Sequence, residues 1–139
     1  MKLTNNIMKS IFEAGLAPEG DYNLVIDDVK VKNDINIDEI DDEHGNLTIV
    51  VDFSILDKNY KGYKVKSVFS IFNSTNKQAA LAMRKSFLSM LLSLGISAED
   101  FESDFETDIL MGKKLKAHVI QEPANNNFSA YNRATYFLS

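Results

Sequence analysis

The sequence of 139 residues contains no cysteine and no long hydrophobic run. The absence of cysteine excludes disulfide bonds, thiolate zinc sites and a cysteine nucleophile. The first twenty residues lack the apolar core of a signal peptide, because polar residues such as Asn5, Lys9 and Glu13 interrupt them. No stretch approaches the ~20 apolar residues that a membrane-spanning helix needs. These absences favour a cytoplasmic protein that does not enter a membrane.

Acidic and basic residues are segregated along the chain, which carries a net charge of −5. Acidic residues concentrate in segments 34–43 and 99–108, whereas lysines concentrate in 58–66 and 113–116. A negative net charge taken alone speaks against a nucleic-acid-binding protein. The segregation weakens that objection, because one face of an acidic protein can still be basic.

Hydrophobic periodicity predicts five strands and two helices in a single domain over residues 1–139. The predicted elements are a helix over 2–14, strands over 22–32, 46–56 and 61–72, a long helix over 76–94, and strands over 113–122 and 131–138. The order β-β-β-α-β-β is that of the OB-fold, a five-stranded Greek-key barrel. The sequence therefore predicts a mainly β, OB-fold-like barrel with an N-terminal helical extension over 1–17. A sheet of another topology with a covering helix is the structural alternative.

Local signals refine the predicted strands and the long helix. A change of phase at 27–28 predicts a β-bulge in the first strand, which would bring four apolar residues to one side. These are Leu24, Ile26, Val29 and Val31. Ser74 or Thr75 is predicted to cap the long helix, and Gly95 to end it. Alternation in the third strand predicts that Tyr63 faces inward.

Known catalytic and metal-binding motifs are missing from the chain. Asp34, Asn36 and Asp38 match the beginning of an EF-hand calcium loop, but Glu39 and Gly45 occupy positions that require Gly and Glu. The two histidines have no His or Cys neighbour at ligand spacing. We therefore expect no enzymatic activity, no cofactor and no metal ion.

Lysines and aromatic residues on the predicted outer faces of the strands suggest a ligand. Single-stranded nucleic acid binds where Lys or Arg contacts phosphates and aromatic rings stack on bases. In an OB-fold this surface comprises the middle strands and the loops after the first and fourth strands. The candidate contact residues are Tyr60, Lys61, Lys64, Lys66, Phe72, Lys114, Lys116, Phe128, Tyr131 and Arg133. The acidic loop 34–43 opposes this interpretation unless it folds away or binds a protein.

Four stretches of the chain resemble a family of small phage proteins that is described as a domain of unknown function. The stretches are PEGDY (18–22) leading into VIDDVKVK (25–32), Asn73 with a helix that ends LLSLG (91–95), LMGKKLKA (110–117), and YNRATY (131–136). Members of that family occur among replication and recombination genes and are regarded as OB-fold proteins that bind single-stranded DNA. The resemblance implies phage origin, a location in the host cytoplasm, and single-stranded DNA as the partner.

A protein-interaction module is the alternative function. An apolar stripe on the N-terminal helix, formed by Ile7, Met8, Ile11 and Phe12, would suit helix-in-groove binding to a host or phage replication or defence factor. A simpler interpretation is that this helix packs across the open end of its own barrel. Homo-oligomerisation is left open, because no sequence feature defines an interface.

Overall fold

The structure, a computed structural model, describes residues 1–101, 104–126 and 129–138. In chain order, its helices and strands are α1 (Asn5–Ala14), β1 (Gly20–Asn33), β2 (Asn46–Ile55), β3 (Lys64–Asn73), α2 (Lys77–Ser93), β4 (Lys114–Glu122) and β5 (Tyr131–Leu138). The strands close into a barrel in the order β1-β2-β3-β5-β4, and β4 pairs back onto β1. The predicted element order and the OB-like five-stranded barrel are therefore confirmed. Neither of the described helices has the length and apolar character needed to cross a membrane.

The alternation of β2 supplies one side of the barrel core. Every second residue of this strand is buried, beginning at Leu47 and ending at Ile55. Phe53 is completely buried at the centre, with its ring centroid 6.4 Å from that of Phe137 on β5. Full burial of such a side chain contributes about 1.5–3 kcal/mol, so this strand does much to stabilise the barrel.

The β-bulge predicted in β1 is present. The pairing of β1 with β2 shifts register between Ile26 and Asp28, so that Val29 lies opposite the buried Val51. Val31 lies on the same side, opposite Ile49, but is 38% exposed. The reason is that β4 accompanies β1 only as far as Val25, so the second half of β1 has β2 alone as a neighbour.

The third strand begins later than predicted. Residues 58–60 form a 3-10 turn, and Gly62 adopts a φ of +87°, which favours glycine. This tight connection delays the strand to Lys64, and Tyr63 is 39% exposed, so the prediction that Tyr63 faces inward is wrong. The outward positions of Lys64 and Lys66 agree with the alternation.

Helix α2 packs across β3 and β5. The rings of Phe87 and Phe69 meet edge to face with centroids 5.2 Å apart, and Met90 is fully buried. The predicted N-cap is wrong by one or two residues, because the side chain of Asn76 accepts the Ala79 N–H at 3.1 Å. Gly95 ends the helix as predicted, with a φ of +80°.

Helix α1 does not cover the barrel. Ile7 and Ile11 are 47% and 53% exposed, so the interpretation that this helix packs across the open end of the barrel is wrong. The side chain of Phe12 lies outside the described part of the structure.

The segment after α1 is fastened to the barrel by a buried polar contact. The side chain of Asn132 on β5 accepts the Ala17 N–H at 2.9 Å and donates to the Ala17 carbonyl at 2.9 Å. It also donates to the Ile120 carbonyl at 3.3 Å. Both Asn132 and Ala17 are buried, so these bonds satisfy groups that water cannot reach.

Candidate nucleic-acid interface

Strand pairing brings the two lysine-rich segments of the sequence together. Lys64 on β3 lies opposite Ser54 on β2, and Ser54 lies opposite Val25 on β1. Val25 in turn lies opposite Lys114 on β4. Directly paired residues point to the same side of a sheet, so Lys64 and Lys114 share the outer face of the barrel. Three strand spacings of about 4.8 Å separate them.

The turn between β2 and β3 adds to this basic surface. Asp57 in the turn accepts the Asn23 N–H at 2.8 Å, and Asn23 lies opposite Lys116. The turn is thereby held against β1, the strand next to β4, and its Lys58 and Lys61 are exposed. We call this surface the lysine face; it comprises Lys58, Lys61, Lys64, Lys66, Lys114 and Lys116.

Most ammonium groups of the lysine face are free of ion pairs within the described ranges. Only Lys64 lies within 4 Å of a carboxylate there; it donates to Asp27 at 3.3 Å and to the Ser54 hydroxyl at 2.9 Å. Lys114 and Lys116 are exposed on β4. A surface with uncompensated lysines attracts anions over a distance of about 10 Å at moderate salt.

A groove of about 450 Å³ opens on the lysine face where β3 meets β5. These strands pair through only two positions, Val65 with Asn132 and Lys66 with Arg133. Lys64, Lys66 and Tyr131 line this groove, so the structure brings three of the candidate contact residues together. The Lys66 ammonium lies 5.6 Å from the centroid of the Tyr131 ring, within the range of a cation–π contact. Burial raises the pKa of the Tyr131 hydroxyl, and the charge of Glu122 adds to the rise.

Three carboxylates that the sequence analysis did not include also line this groove. They belong to Asp27, Asp28 and Asp52. The ammonium of Lys30 lies 3.8 Å from Asp28 and 3.6 Å from Asp52, while Lys64 contacts Asp27. Each carboxylate therefore has a lysine beside it. Only the register of β1 against β2 shows that these residues reach the groove, and short-range patterns do not reveal that register.

Phe72 lies at the opposite end of β3 from this groove. Its ring is half-buried, and the guanidinium carbon of Arg84 lies 4.8 Å from the ring centroid. Phe72 also lines a second, polar pocket of about 280 Å³, together with Thr48, Ser70 and other residues of the same end. Phe72 lies opposite the buried Leu47 and packs against the core, because the register of β3 against β2 shifts between Leu47 and Thr48. The prediction that Phe72 lies on the outer face of the strand is therefore wrong.

Two of the remaining candidate residues, Tyr60 and Arg133, make contacts within the protein. Tyr60 packs edge-on against Tyr22, with centroids 5.8 Å apart, and against Tyr63 at 5.5 Å. The Nε of Arg133 donates to Glu122 at 2.6 Å, so its charge is compensated. Lys61 is exposed in the turn before β3. Phe128 lies outside the described residues.

The acidic loop between β1 and β2 folds towards α2. Asp42 pairs with Arg84 at 2.9 Å, and Glu43 pairs with Lys77 at the start of the helix. These pairs turn two of the loop's acids towards the helix rather than towards the lysine face. The sequence left open whether this loop folds away from the basic surface or binds a protein. Local patterns could not decide this, because the ion pairs join residues more than thirty positions apart.

A side-chain clamp closes the acidic loop. The Asp34 carboxylate accepts the Asn46 backbone N–H at 2.7 Å and its side-chain amide at 2.8 Å. These bonds, led by the backbone one, hold the pKa of Asp34 below its usual value of 3.8. Hydrogen bonds from the Glu43 backbone and the His44 side chain lower the pKa of Asp41 in the same way.

The clamp predicts a pH-dependent effect of the substitution Asp34→Ala. A carboxylate with a lowered folded-state pKa stabilises the fold above its unfolded pKa and loses this effect as the pH falls through the folded value. We therefore expect the variant to melt below the wild type at pH 7 and the gap to narrow below about pH 4. Thermal unfolding followed by circular dichroism at about pH 7 and about pH 3 checks this. A gap of equal size at pH 7 and pH 3 would refute the role of the charged clamp.

The described side chains include no group of three His, Cys, Asp or Glu residues that could hold a metal ion. Fold and surface together define an OB-like barrel with a basic outer face and an acidic loop that is paired with its helix. The chain belongs to a family described as "protein of unknown function (DUF669)", which matches residues 4–137. No curated protein sequence matches the chain.

Proposed function

We propose that this protein binds single-stranded DNA along the lysine face, without catalysis and without reading the base sequence. The observation that carries the proposal is the meeting of the lysines of 58–66 with Lys114 and Lys116 on one outer surface of the barrel. Phosphates would contact these ammonium groups, and a base would stack against Tyr131 in the groove beside Lys66.

The charge of the site supports binding that is sensitive to salt. Lys64 and Lys30 lie beside the three carboxylates of the groove, which leaves Lys66 and the lysines of β4 and of the β2–β3 turn to contact phosphates. Each phosphate that a lysine neutralises on a single strand contributes about −0.7 to the slope of log K against log salt. Binding through four lysines would therefore lose affinity steeply as salt is raised.

The biological setting is part of the same proposal. The resemblance to phage proteins of replication and recombination gene clusters favours a phage-encoded protein that acts on single-stranded DNA in the host cytoplasm. Replication or recombination exposes such DNA, and a barrel that binds it without sequence preference would protect or present it. Phage or host replication proteins would be its further partners.

Fluorescence anisotropy tests the proposed function with labelled single-stranded DNA, double-stranded DNA and single-stranded RNA of equal length. We expect micromolar or tighter binding to single-stranded DNA at about 50 mM salt and weaker binding at about 200 mM. Tighter binding to the duplex than to the single strand would contradict the proposal, because stacking on Tyr131 requires unpaired bases.

The exposure of α1 favours a second candidate function, binding to a protein. Ile7 and Ile11 lie one turn apart on this helix and are both about half exposed. An apolar face of this kind is suited to a hydrophobic groove on a partner. The candidate predicts that a partner recovered from nuclease-treated host lysate is lost with Ile7→Glu/Ile11→Glu and kept with Lys114→Gln/Lys116→Gln. Recovery that depends on the lysines instead would contradict it.

A further inference from the structure

Tyr136 on β5, the strand next to β4, is exposed but has a fixed ring orientation. The rings of Tyr136 on β5 and His118 on β4 are stacked, with centroids 4.8 Å apart and planes 8° from parallel. Tyr136 is nevertheless 53% exposed. We call these two residues the Tyr136 platform.

A bulge between β4 and β5 explains why this tyrosine points outward. The register of β4 against β5 shifts, so that His118 lies opposite Tyr136 while Val119 lies opposite Ala134. Thr135 is the extra residue. Without it, simple alternation from the buried Asn132 and Ala134 would send Tyr136 into the core. The bulge therefore delivers an aromatic ring to the surface at one defined place.

Two carboxylates contact the imidazole of His118 and fix its orientation. His118 Nδ1 lies 2.8 Å from Asp21, and Nε2 lies 3.6 Å from Glu19. The side chain of His118 is 22% exposed, so the protein surrounds most of the imidazole. Both carboxylates are directed at the ring nitrogens of His118. Since the stacked tyrosine is already ordered, a ligand that stacks on it loses less conformational entropy on binding.

The platform continues the lysine face. Lys114, Lys116 and His118 occupy alternate positions on the outer side of β4, and Lys116 lies opposite Leu138, two residues beyond Tyr136. Within the described ranges no carboxylate lies within 4 Å of the ammonium of Lys114 or Lys116. A chain of phosphates that follows the lysines from β3 to β4 therefore arrives beside an exposed aromatic ring.

We propose that the Tyr136 platform is a second stacking site for single-stranded DNA, at the far end of a path that begins in the Tyr131 groove. This inference rests on the proposed function. The path crosses the outer faces of β3, β2, β1 and β4 and ends on β5, the strand that also carries Tyr131, so it passes round the whole barrel. It requires an oligonucleotide near the upper end of the range of about 4–16 nucleotides that single OB-folds occupy.

The test compares short and long oligo-dT on the full-length wild type and on Tyr136→Ala. With an oligomer of about 16 nucleotides, we expect the substitution to weaken binding about tenfold, as for the removal of one base–aromatic stack. With an oligomer of about 4 nucleotides, which can occupy the Tyr131 groove alone, we expect less than a twofold change. Tyr136→Phe keeps the ring and is expected to bind both oligomers as the wild type does.

The outcomes separate the inference from the function on which it rests. If the wild type binds neither oligomer, the proposed function fails. If the wild type binds and Tyr136→Ala binds the long oligomer equally well, the second stacking site is refuted. An equal decrease in affinity for both lengths also refutes it, because the tyrosine would then act on the groove or on folding. Tyr136→Leu, which keeps an apolar side chain without a π-face, is expected to weaken binding as much as alanine does.

Discussion

Replacing Lys64 and Lys66 by glutamine is expected to weaken binding of single-stranded DNA by about tenfold or more at low salt. Both ammonium groups line the groove, and Lys66 also contacts the Tyr131 ring. Removing Lys64 leaves the Asp27 carboxylate without the lysine that now lies 3.3 Å away, which makes the groove more repulsive to phosphate. The slope of log K against log salt should become shallower by about 0.7 for each phosphate that a lysine no longer neutralises.

A matched control separates this local effect from a change in overall charge. Lys9→Gln/Lys85→Gln removes the same number of positive charges from the two helices, outside the lysine face. Both double variants are also compared at about 150 mM salt, where charges further away than about 8 Å are screened, and there we expect the control to change the affinity less than twofold. Equal decreases in affinity in the two double variants would indicate general attraction by net charge and no specific binding surface.

Asn132→Ala is expected to lower the free energy of unfolding by about 2–4 kcal/mol. The substitution removes the acceptor of the Ala17 N–H and both donors of the asparagine amide. The Ala17 carbonyl keeps a bond from the Gln121 side chain at 3.0 Å, but its buried N–H is left without a partner. An unsatisfied buried donor costs about 1–3 kcal/mol, and the cavity left by the side chain adds to this.

Urea unfolding at equilibrium measures the effect of Asn132→Ala, with Asn59→Ala as the control. Asn59 is exposed in the turn between β2 and β3, so its replacement should cost less than about 0.5 kcal/mol. A variant at Asn132 that unfolds at the same urea concentration as the wild type would show that the segment after α1 is not fastened by this contact. The order of α1 relative to the barrel should also decrease in the Asn132 variant.

The strands and the long helix could be predicted because their patterns are local. The clean alternation from Leu47 to Ile55 identifies a half-buried strand by itself, and the phase change at Asp27 and Asp28 identifies a bulge. The bulge at Thr135 could not be identified in this way. In the sequence it shows only as a break in the alternation of a short strand. Such a break identifies a bulge only when the pairing with the partner strand is known.

The candidate interface could be predicted only in part, for a similar reason. Alternation placed Lys64, Lys66, Lys114 and Lys116 on the outside of their strands. That the two pairs share a surface depends on the register of β1 against β2 and β4, which joins residues as far apart in the chain as Gly20 and Val119. The same register brings Asp27 and Asp52 into the groove. The pairing of the acidic loop with Arg84 likewise depends on the packed structure.

The most direct test of the central claim maps oligo-dT binding onto the chain by amide chemical shifts. The titration uses isotope-labelled full-length protein at about 50 mM salt, where phosphate contacts are strong. We predict saturating shifts that concentrate in β3 around Lys64 and Lys66, in β4 around Lys114 and Lys116, and at Tyr131. Shifts confined to α1 or to the acidic loop, or no shifts at this salt concentration, would contradict the proposal that single-stranded DNA binds the lysine face.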